Sequence, residues 1–319
     1  VSTEESAATT EKKCGENLTW TFADGTMTIS GTGKMYNWQR IDMEMMEEET
    51  EVRGNTPWDN IKHDIHNVVI EEGVTNIGAY AFLNCDNLKG ILIPHSVTRI
   101  EEYAFDMSGI TDINIPDSVT DLENAFLNCT GLLSITIGAN VNYIRSDWFG
   151  GCTAIERIEI SADNTSYYSK NNCIIKSNTL ILGCKNSIIP DDVGVIESAA
   201  FSGCGGLTHI VIPESVYWIK DRAFSDCTAL TEITVGKTDG SMSLNLGESV
   251  FSGCTGLTSV TIYKGVVNIK AGTFFYCTNL SRIEYKGTME EWGNIPKGED
   301  YLTATKVTEI ICSDGTVPV

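Results

Sequence analysis

One apolar pattern recurs along the chain and constrains the fold more than any other feature. In each copy a phenylalanine is followed by a cysteine three residues later, and by apolar residues six, nine and eleven residues later. The first copy reads Phe82, Cys85, Leu88, Ile91, Ile93, and six more begin at Phe126, Phe149, Phe201, Phe224, Phe251 and Phe274. Such self-similarity predicts a repeat protein, in which each unit buries its apolar side chains by stacking on its neighbours.

The spacing of the copies identifies the class of repeat. A shorter variant at Phe105, with Ser108 in the cysteine position, completes a series with separations of 23, 21, 23, 52, 23, 27 and 23 residues. These values lie in the band of about 20–29 residues that is typical of leucine-rich repeats. The interval of 52 residues spans two periods and contains a degenerate unit over 161–196.

The pattern within each unit predicts the local structure. Leu-x-x-Ile-x-Ile is typical of a short strand whose alternate side chains point inward, and a second segment such as 97–100 supplies another inward row. We therefore predict a β-rich leucine-rich-repeat solenoid of about nine units. Its expected shape is a right-handed horseshoe or arc, with short helical or irregular convex segments between the strands.

The repeats occupy the middle of the chain, and we expect a cap at each end. Trp20 and Phe22, an Asp24-Gly25 turn, and then Met27 and Ile29 are typical of a β-hairpin. The predicted organisation is a flexible tail at 1–13, an N-terminal cap at 14–66 with an acidic loop at 42–51, repeats at 67–288, and a C-terminal cap at 289–319.

Charge argues against two classes of partner. The chain has 43 acidic and 22 basic residues, a net charge of −21, which repels nucleic acids and anionic membrane surfaces. It contains no run of roughly 18 apolar residues of the kind that spans a bilayer. We therefore expect neither a nucleic-acid partner nor direct membrane insertion.

The repeat pattern explains the positions of most cysteines better than a metal or redox site does. Seven of the eleven occupy the same position of the pattern, where a small, polarisable side chain packs well, so we interpret them as core residues. Cys173 and Cys184 lie in the degenerate unit, and a disulfide between them is one alternative. Cys14 and Cys312 belong to opposite caps.

Candidate catalytic and metal sites are weak. His63-x-x-His66 lacks the glutamate and third ligand of a zinc hydrolase, and no nucleophile, phosphate-binding or calcium-loop motif is present. The sequence therefore predicts no enzyme activity, cofactor or metal.

Several segments resemble the BspA-like leucine-rich-repeat surface proteins of bacteria. These are Gly73–Gly78 leading into Ala81-Phe82, the Ile-x-Ile-Pro-x-Ser-Val strings at 91–97 and 210–216, and the flanks at 14–33 and 285–292. The resemblance implies a secreted or cell-surface protein, with any signal peptide already removed. It also implies adhesion to a protein, such as one of the host extracellular matrix, or to a glycan. A passive stalk or scaffold for other domains is the alternative.

A ligand of such a solenoid is expected on the outward side of the strands. The side chains between the inward rows are small, polar and mixed in charge, and they include no aromatic anchor. The candidate binding residues on this face are Asn114, Thr136, Arg157, Glu159, His209, Glu232, Thr234, Arg282 and Glu284. Tyr167 and Tyr168 in the degenerate unit mark an alternative site.

Overall fold

A computed structural model describes residues 12–38, 52–53 (backbone only), 55–237 and 243–319. The predicted acidic loop at 42–51 and most of the predicted tail at 1–13 lie outside these residues. The strands, numbered along the described chain, are β1 (Gly15–Ala23), β2 (Thr26–Met35), β3 (Asn37–Trp38), β4 (Val52–Arg53), β5 (Asn67–Ile70), β6 (Asn76–Ile77), β7 (Gly90–Leu92), β8 (Arg99–Ile100), β9 (Asp112–Ile115), β10 (Asp121–Leu122), β11 (Ser134–Ile137), β12 (Arg157–Ile160), β13 (Tyr168–Lys170), β14 (Cys173–Lys176), β15 (Thr179–Leu182), β16 (Val195–Ile196), β17 (Trp218–Ile219), β18 (Glu232–Val235), β19 (Asn245–Leu246), β20 (Ser259–Ile262), β21 (Arg282–Tyr285), β22 (Glu309–Cys312) and β23 (Gly315–Pro318).

The described residues form a β-solenoid of about ten turns, which confirms the predicted fold class. The Ile-x-Ile segments form a parallel arrangement, here called the main ladder, with the strand orders β2-β5-β7, β9-β11-β12 and β18-β20-β21-β22. Each pairing keeps the repeat in register, so that Ile113, Ile135 and Ile158 stand side by side. These β-branched residues alternate with exposed ones, as a half-buried strand requires.

A second ladder runs beside the first. It contains β6, β8 and β10 in one part and β15, β16, β17 and β19 in another, all joined in parallel pairs. Where the motif contains proline, a tight turn links the two ladders, and Val97 N donates to the carbonyl of Pro94 at 3.2 Å. The same bond recurs from Val119 to Pro116. Proline fits there because its fixed φ favours the turn and its missing N–H is not needed by a strand.

Phenylalanine rings stack in the core and form two separate columns. Phe82, Phe105, Phe126 and Phe149 stack with ring centroids 5.4, 5.3 and 5.9 Å apart. The four rings from Phe201 to Phe274 stack at 4.9, 5.5 and 5.6 Å. Between the columns, the backbone of Gly183 lies against the Phe201 ring, so closely that a Cβ at this position would overlap Cε1 of that ring.

The degenerate unit causes this division. β13 and β14 form an antiparallel hairpin whose two turn residues, Asn171 and Asn172, have φ values of 53° and 59°, as a two-residue turn of this hand demands. In β14, Ile174 packs into the N-terminal core, whereas Cys173 and Ile175 pack into the C-terminal core. The inserted hairpin, β13–β14, therefore divides one solenoid into two hydrophobic cores.

The repeat cysteines also make a regular polar contact. The thiols of Cys129, Cys152 and Cys254 donate to the carbonyl oxygens of Phe105, Phe126 and Phe224, at 3.0, 2.9 and 3.1 Å. The carbonyl of Phe105 also accepts from Ser108 N at 2.9 Å, whereas at Phe126 and Phe224 the thiol provides the partner that a buried carbonyl needs. The repeat cysteines therefore form hydrogen bonds in addition to the core packing that the sequence predicts. The apolar periodicity of the sequence does not reveal these bonds.

Both ends of the stack are covered. β1 and β2 form the predicted hairpin, and Trp58 continues the N-terminal aromatic column by stacking on Phe82 at 5.8 Å. At the other end, the helix α1 (Met289–Asn294) begins with a capping box between Thr288 and Glu291 and buries Trp292 beside Tyr285. No helix among the described residues is long and apolar enough to span a bilayer.

Candidate functional site

The candidate binding face is the outward side of the main ladder. Asn114 on β9, Thr136 on β11 and Glu159 on β12 stand at the same register position, and Asp112, Ser134 and Arg157 form a parallel column beside them. Their backbones are held by the ladder and by the inward isoleucines, so the face is rigid while its side chains are at least partly exposed.

A shallow groove of about 520 Å³ lies on this face across β7, β9, β11 and β12. Its floor is neutral and polar, with Asn114 and Thr136, and its charged groups are Lys89, Asp112 and Arg157. The Ser134 hydroxyl donates to Asp112 Oδ1 at 2.8 Å, and Arg157 Nη1 lies 3.5 Å from Glu159 Oε1. These contacts are solvent-exposed and weak, so the charged groups remain available to a partner.

The other candidate residues form a second group. Glu232 and Arg282 flank Ser259 at one register position, and Thr234 and Glu284 flank Thr261 at the other. Lys286 donates to Glu284 and lowers the pKa of that carboxyl.

His209 joins neither group. It is exposed and lies outside any strand, in the first turn after the degenerate unit. The inserted hairpin separates the two groups, because Ile188 of the following turn bonds to Asn171 of the hairpin and not to β12.

The cysteines and histidines that the sequence offers for a disulfide or a metal site lie away from the main-ladder face. Cys173 and Cys184 are both buried free thiols, and their sulfur atoms contact the carbonyls of Ile188 and Asn172, respectively. His63 Nδ1 bonds to Asp86 Oδ1, whereas His66 Nδ1 bonds to the carbonyl of Asp64. Among the described residues, no cluster of three His, Cys, Asp or Glu side chains has the arrangement of a metal site.

Sequence reasoning missed a larger cavity, here called the junction cleft, of about 680 Å³. It lies between the segment at 143–147 and the turns that contain Glu197, Asp221 and Glu248, where the second ladder is interrupted between β10 and β15. Tyr167, part of the alternative site, lines it but is buried, and its hydroxyl accepts a bond from Ile144 N at 2.9 Å.

One sequence signal marks the junction cleft. The residue before the repeat phenylalanine is small or β-branched in the other units, as at Ala81, Ala200 and Val250, but it is Trp148 in this one. In the other units this residue lies in a turn. The chain instead forms a 3₁₀ helix over Ser146–Phe149.

Comparison with known proteins agrees with the fold. The BspA type leucine rich repeat region matches residues 59–181 and 180–295, with six copies. A leucine-rich repeat protein from Eubacterium ventriosum is similar in structure, with a TM-score of 0.64, 20% identity, and coverage of 93% of this chain and 83% of that one.

Two further solved structures are similar. A leucine-rich repeat protein from Bacteroides ovatus has a TM-score of 0.51 and 20% identity, with 91% of this chain and 79% of that one covered. The pneumococcal vaccine antigen PcpA has a TM-score of 0.51 and 15% identity, with 94% and 98% covered. No curated protein matches the sequence. Since the family pattern covers well over half of the residues, the chain belongs to the BspA-type leucine-rich-repeat family.

Proposed function

We propose that this protein is a non-catalytic binding module, secreted or displayed at a bacterial cell surface, which recognises a protein or glycan through the main-ladder face. The observation that carries the proposal is the groove across β7, β9, β11 and β12, where outward side chains stand in register on a rigid ladder. Surface location is supported by family membership and by the likeness to a vaccine antigen.

The shape and charge of the face support a macromolecular partner. Strands about 4.8 Å apart carry the two columns over several repeats, which makes an extended surface and not an enclosed pocket. Lys89 and Arg157 supply cations beside Asp112 on a chain that is strongly acidic overall. Such local charge favours orientation and rapid association of a partner more than it favours high affinity.

The experiment is an array of extracellular-matrix proteins and glycans probed with the full chain, followed by titration of each ligand found. Thr136→Lys and Arg157→Glu alter the groove. Thr120→Lys is the control for the lysine substitution, because Thr120 is an exposed threonine that lies beside β10 on the second ladder, whereas Thr136 is partly exposed on the main ladder. We expect the two groove variants to weaken binding by about tenfold or more and the control to bind normally.

The opposite results are informative. Unchanged binding by both groove variants would refute the main-ladder face as the site. An array without any ligand would favour the passive stalk or scaffold over the binding module.

A further inference from the structure

The junction cleft is a preformed cavity separate from the main-ladder face. Its volume of about 680 Å³ is within the range of about 300–1,000 Å³ that is usual for small-ligand sites. Arg145 and Asp147 lie on the segment at 143–147, and Glu197 lies on the facing turn, where the second ladder is interrupted between β10 and β15. The cleft is therefore a consequence of the fold and does not require a ligand to open it.

The charges of the junction cleft nearly cancel. Four acidic side chains, Asp147, Glu197, Asp221 and Glu248, and three basic ones, Arg145, Lys176 and Arg222, line it, whereas the whole chain carries a net charge of −21. A cleft with this balance offers little attraction to a strongly charged ligand of either sign.

Two of the acidic groups are also paired within the protein. Arg145 Nε donates to Asp147 Oδ1 at 2.8 Å, and Lys220 Nζ donates to Glu197 Oε2 at 2.8 Å. The Arg145–Asp147 contact differs from the single Arg157–Glu159 contact because two parallel hydrogen bonds orient its planar groups. Each carboxylate keeps further lone pairs that can accept a hydrogen bond. An uncharged ligand with many hydroxyl groups matches such a surface.

An aromatic ring stands at the same cleft. Tyr143 is 56% exposed, yet its ring is fixed by an edge-to-face contact with Trp148 at 5.5 Å and 76°. An exposed, immobilised ring provides apolar area at low entropic cost, and the C–H face of a sugar ring stacks on such a surface.

The lining argues against a peptide as the occupant. Its aliphatic side chains are Ile144, Ile181 and Ala199, and the two isoleucines are more than nine-tenths buried in the core. Little aliphatic surface is therefore left to receive the apolar anchor that usually dominates peptide binding.

We propose that the junction cleft binds a short, neutral oligosaccharide. Tyr143 stacks on a sugar ring, and the fixed pair Arg145–Asp147, together with Glu197, hydrogen-bonds its hydroxyl groups. This site is independent of the partner proposed for the main-ladder face.

The test is a glycan array that contains neutral, sialylated and sulfated glycans, probed with the full chain, followed by calorimetric titration of the best neutral ligand. Tyr143→Ala should weaken binding by about tenfold or more, and Tyr143→Phe, which keeps the ring, should retain most of the affinity. Tyr276→Ala is the matched control, because Tyr276 is 54% exposed and contacts the neighbouring Phe275 ring edge-to-face. It should bind like the unchanged protein.

Further measurements separate this proposal from the previous one. Affinity for the neutral glycan should change little between about 0.05 and 0.5 M salt, and Thr136→Lys should not affect it. An array with only charged glycans or none, full affinity in Tyr143→Ala, or displacement of the glycan only by a ligand of the main-ladder face would each overturn the proposal.

Discussion

The hydrogen bond of the repeat cysteines makes a prediction that distinguishes it from simple packing. Cys254 is fully buried, and its thiol donates to the carbonyl of Phe224 at 3.1 Å. Cys254→Ser keeps a donor but loses the apolar sulfur, Cys254→Val keeps apolar volume but loses the donor, and Cys254→Ala loses both. The three variants therefore separate the polar contribution from the apolar one.

The magnitudes follow from this contact. A buried carbonyl left without a donor costs about 1–3 kcal/mol, and the loss of an apolar group the size of the sulfur costs about 1 kcal/mol. We expect the free energy of unfolding to fall by about 2–4 kcal/mol for Cys254→Ala, by about 1–3 kcal/mol for Cys254→Val, and by about 1 kcal/mol for Cys254→Ser.

Equilibrium urea unfolding, followed by circular dichroism, measures these differences. Cys85 provides the control, because its buried thiol has no hydrogen-bond acceptor among the described residues. There, serine should be worse than valine. If Cys254→Ser were the least stable of its three variants, the thiol would be an apolar filler and the reasoning would be wrong.

Three further predictions concern the junction between the cores and the buried thiols. Gly183→Ala should lower stability by about 1–3 kcal/mol, because its Cβ would overlap the Phe201 ring. Gly293→Ala should raise stability slightly, because a Cβ at this position of α1 meets open space. Thermal unfolding of both variants measures these changes. Burial raises the pKa of Cys14, Cys85, Cys173 and Cys204 to about 12. The stability that these buried neutral thiols contribute is therefore present below the unfolded pKa of 9.0 and is lost as pH rises toward 12, by up to about 1.4 kcal/mol per pH unit for each thiol. Urea unfolding midpoints that stay constant over this pH range would contradict the burial of these thiols. Alkylation in denaturant without reductant should label all eleven cysteines by mass, and two labels fewer, mapped to Cys173 and Cys184, would identify a disulfide instead.

The repeat period predicted the main ladder well, because the physical requirement is the same in every unit. Each Ile-x-Ile segment must bury alternate side chains against identical neighbours, so Ile113, Ile135 and Ile158 align in the structure as in the sequence. The candidate residues that alternate with these isoleucines stand in register for the same reason. Their role in binding stays a prediction.

The degenerate unit was less predictable, for a reason that lies in its strand pattern. Alternation places Ile174 and Ile175 on opposite faces of β14, but it does not reveal that each face meets a different hydrophobic core. The junction cleft arises from the same long-range arrangement. Only Trp148, the large residue in a position usually held by a small one, indicated locally that the regular turn would fail there.

The inserted hairpin also has a consequence for how the molecule unfolds. In a regular solenoid, loss of the last turn exposes the one before it, and fraying can travel along the whole stack. Here the C-terminal turns pack on one face of β14, and the N-terminal turns pack on the other. Fraying that starts at α1 meets a strand that is still held by the N-terminal core, so we expect the two halves to unfold as separate cooperative units. Amide hydrogens of the N-terminal half would then stay protected while those of the C-terminal half exchange.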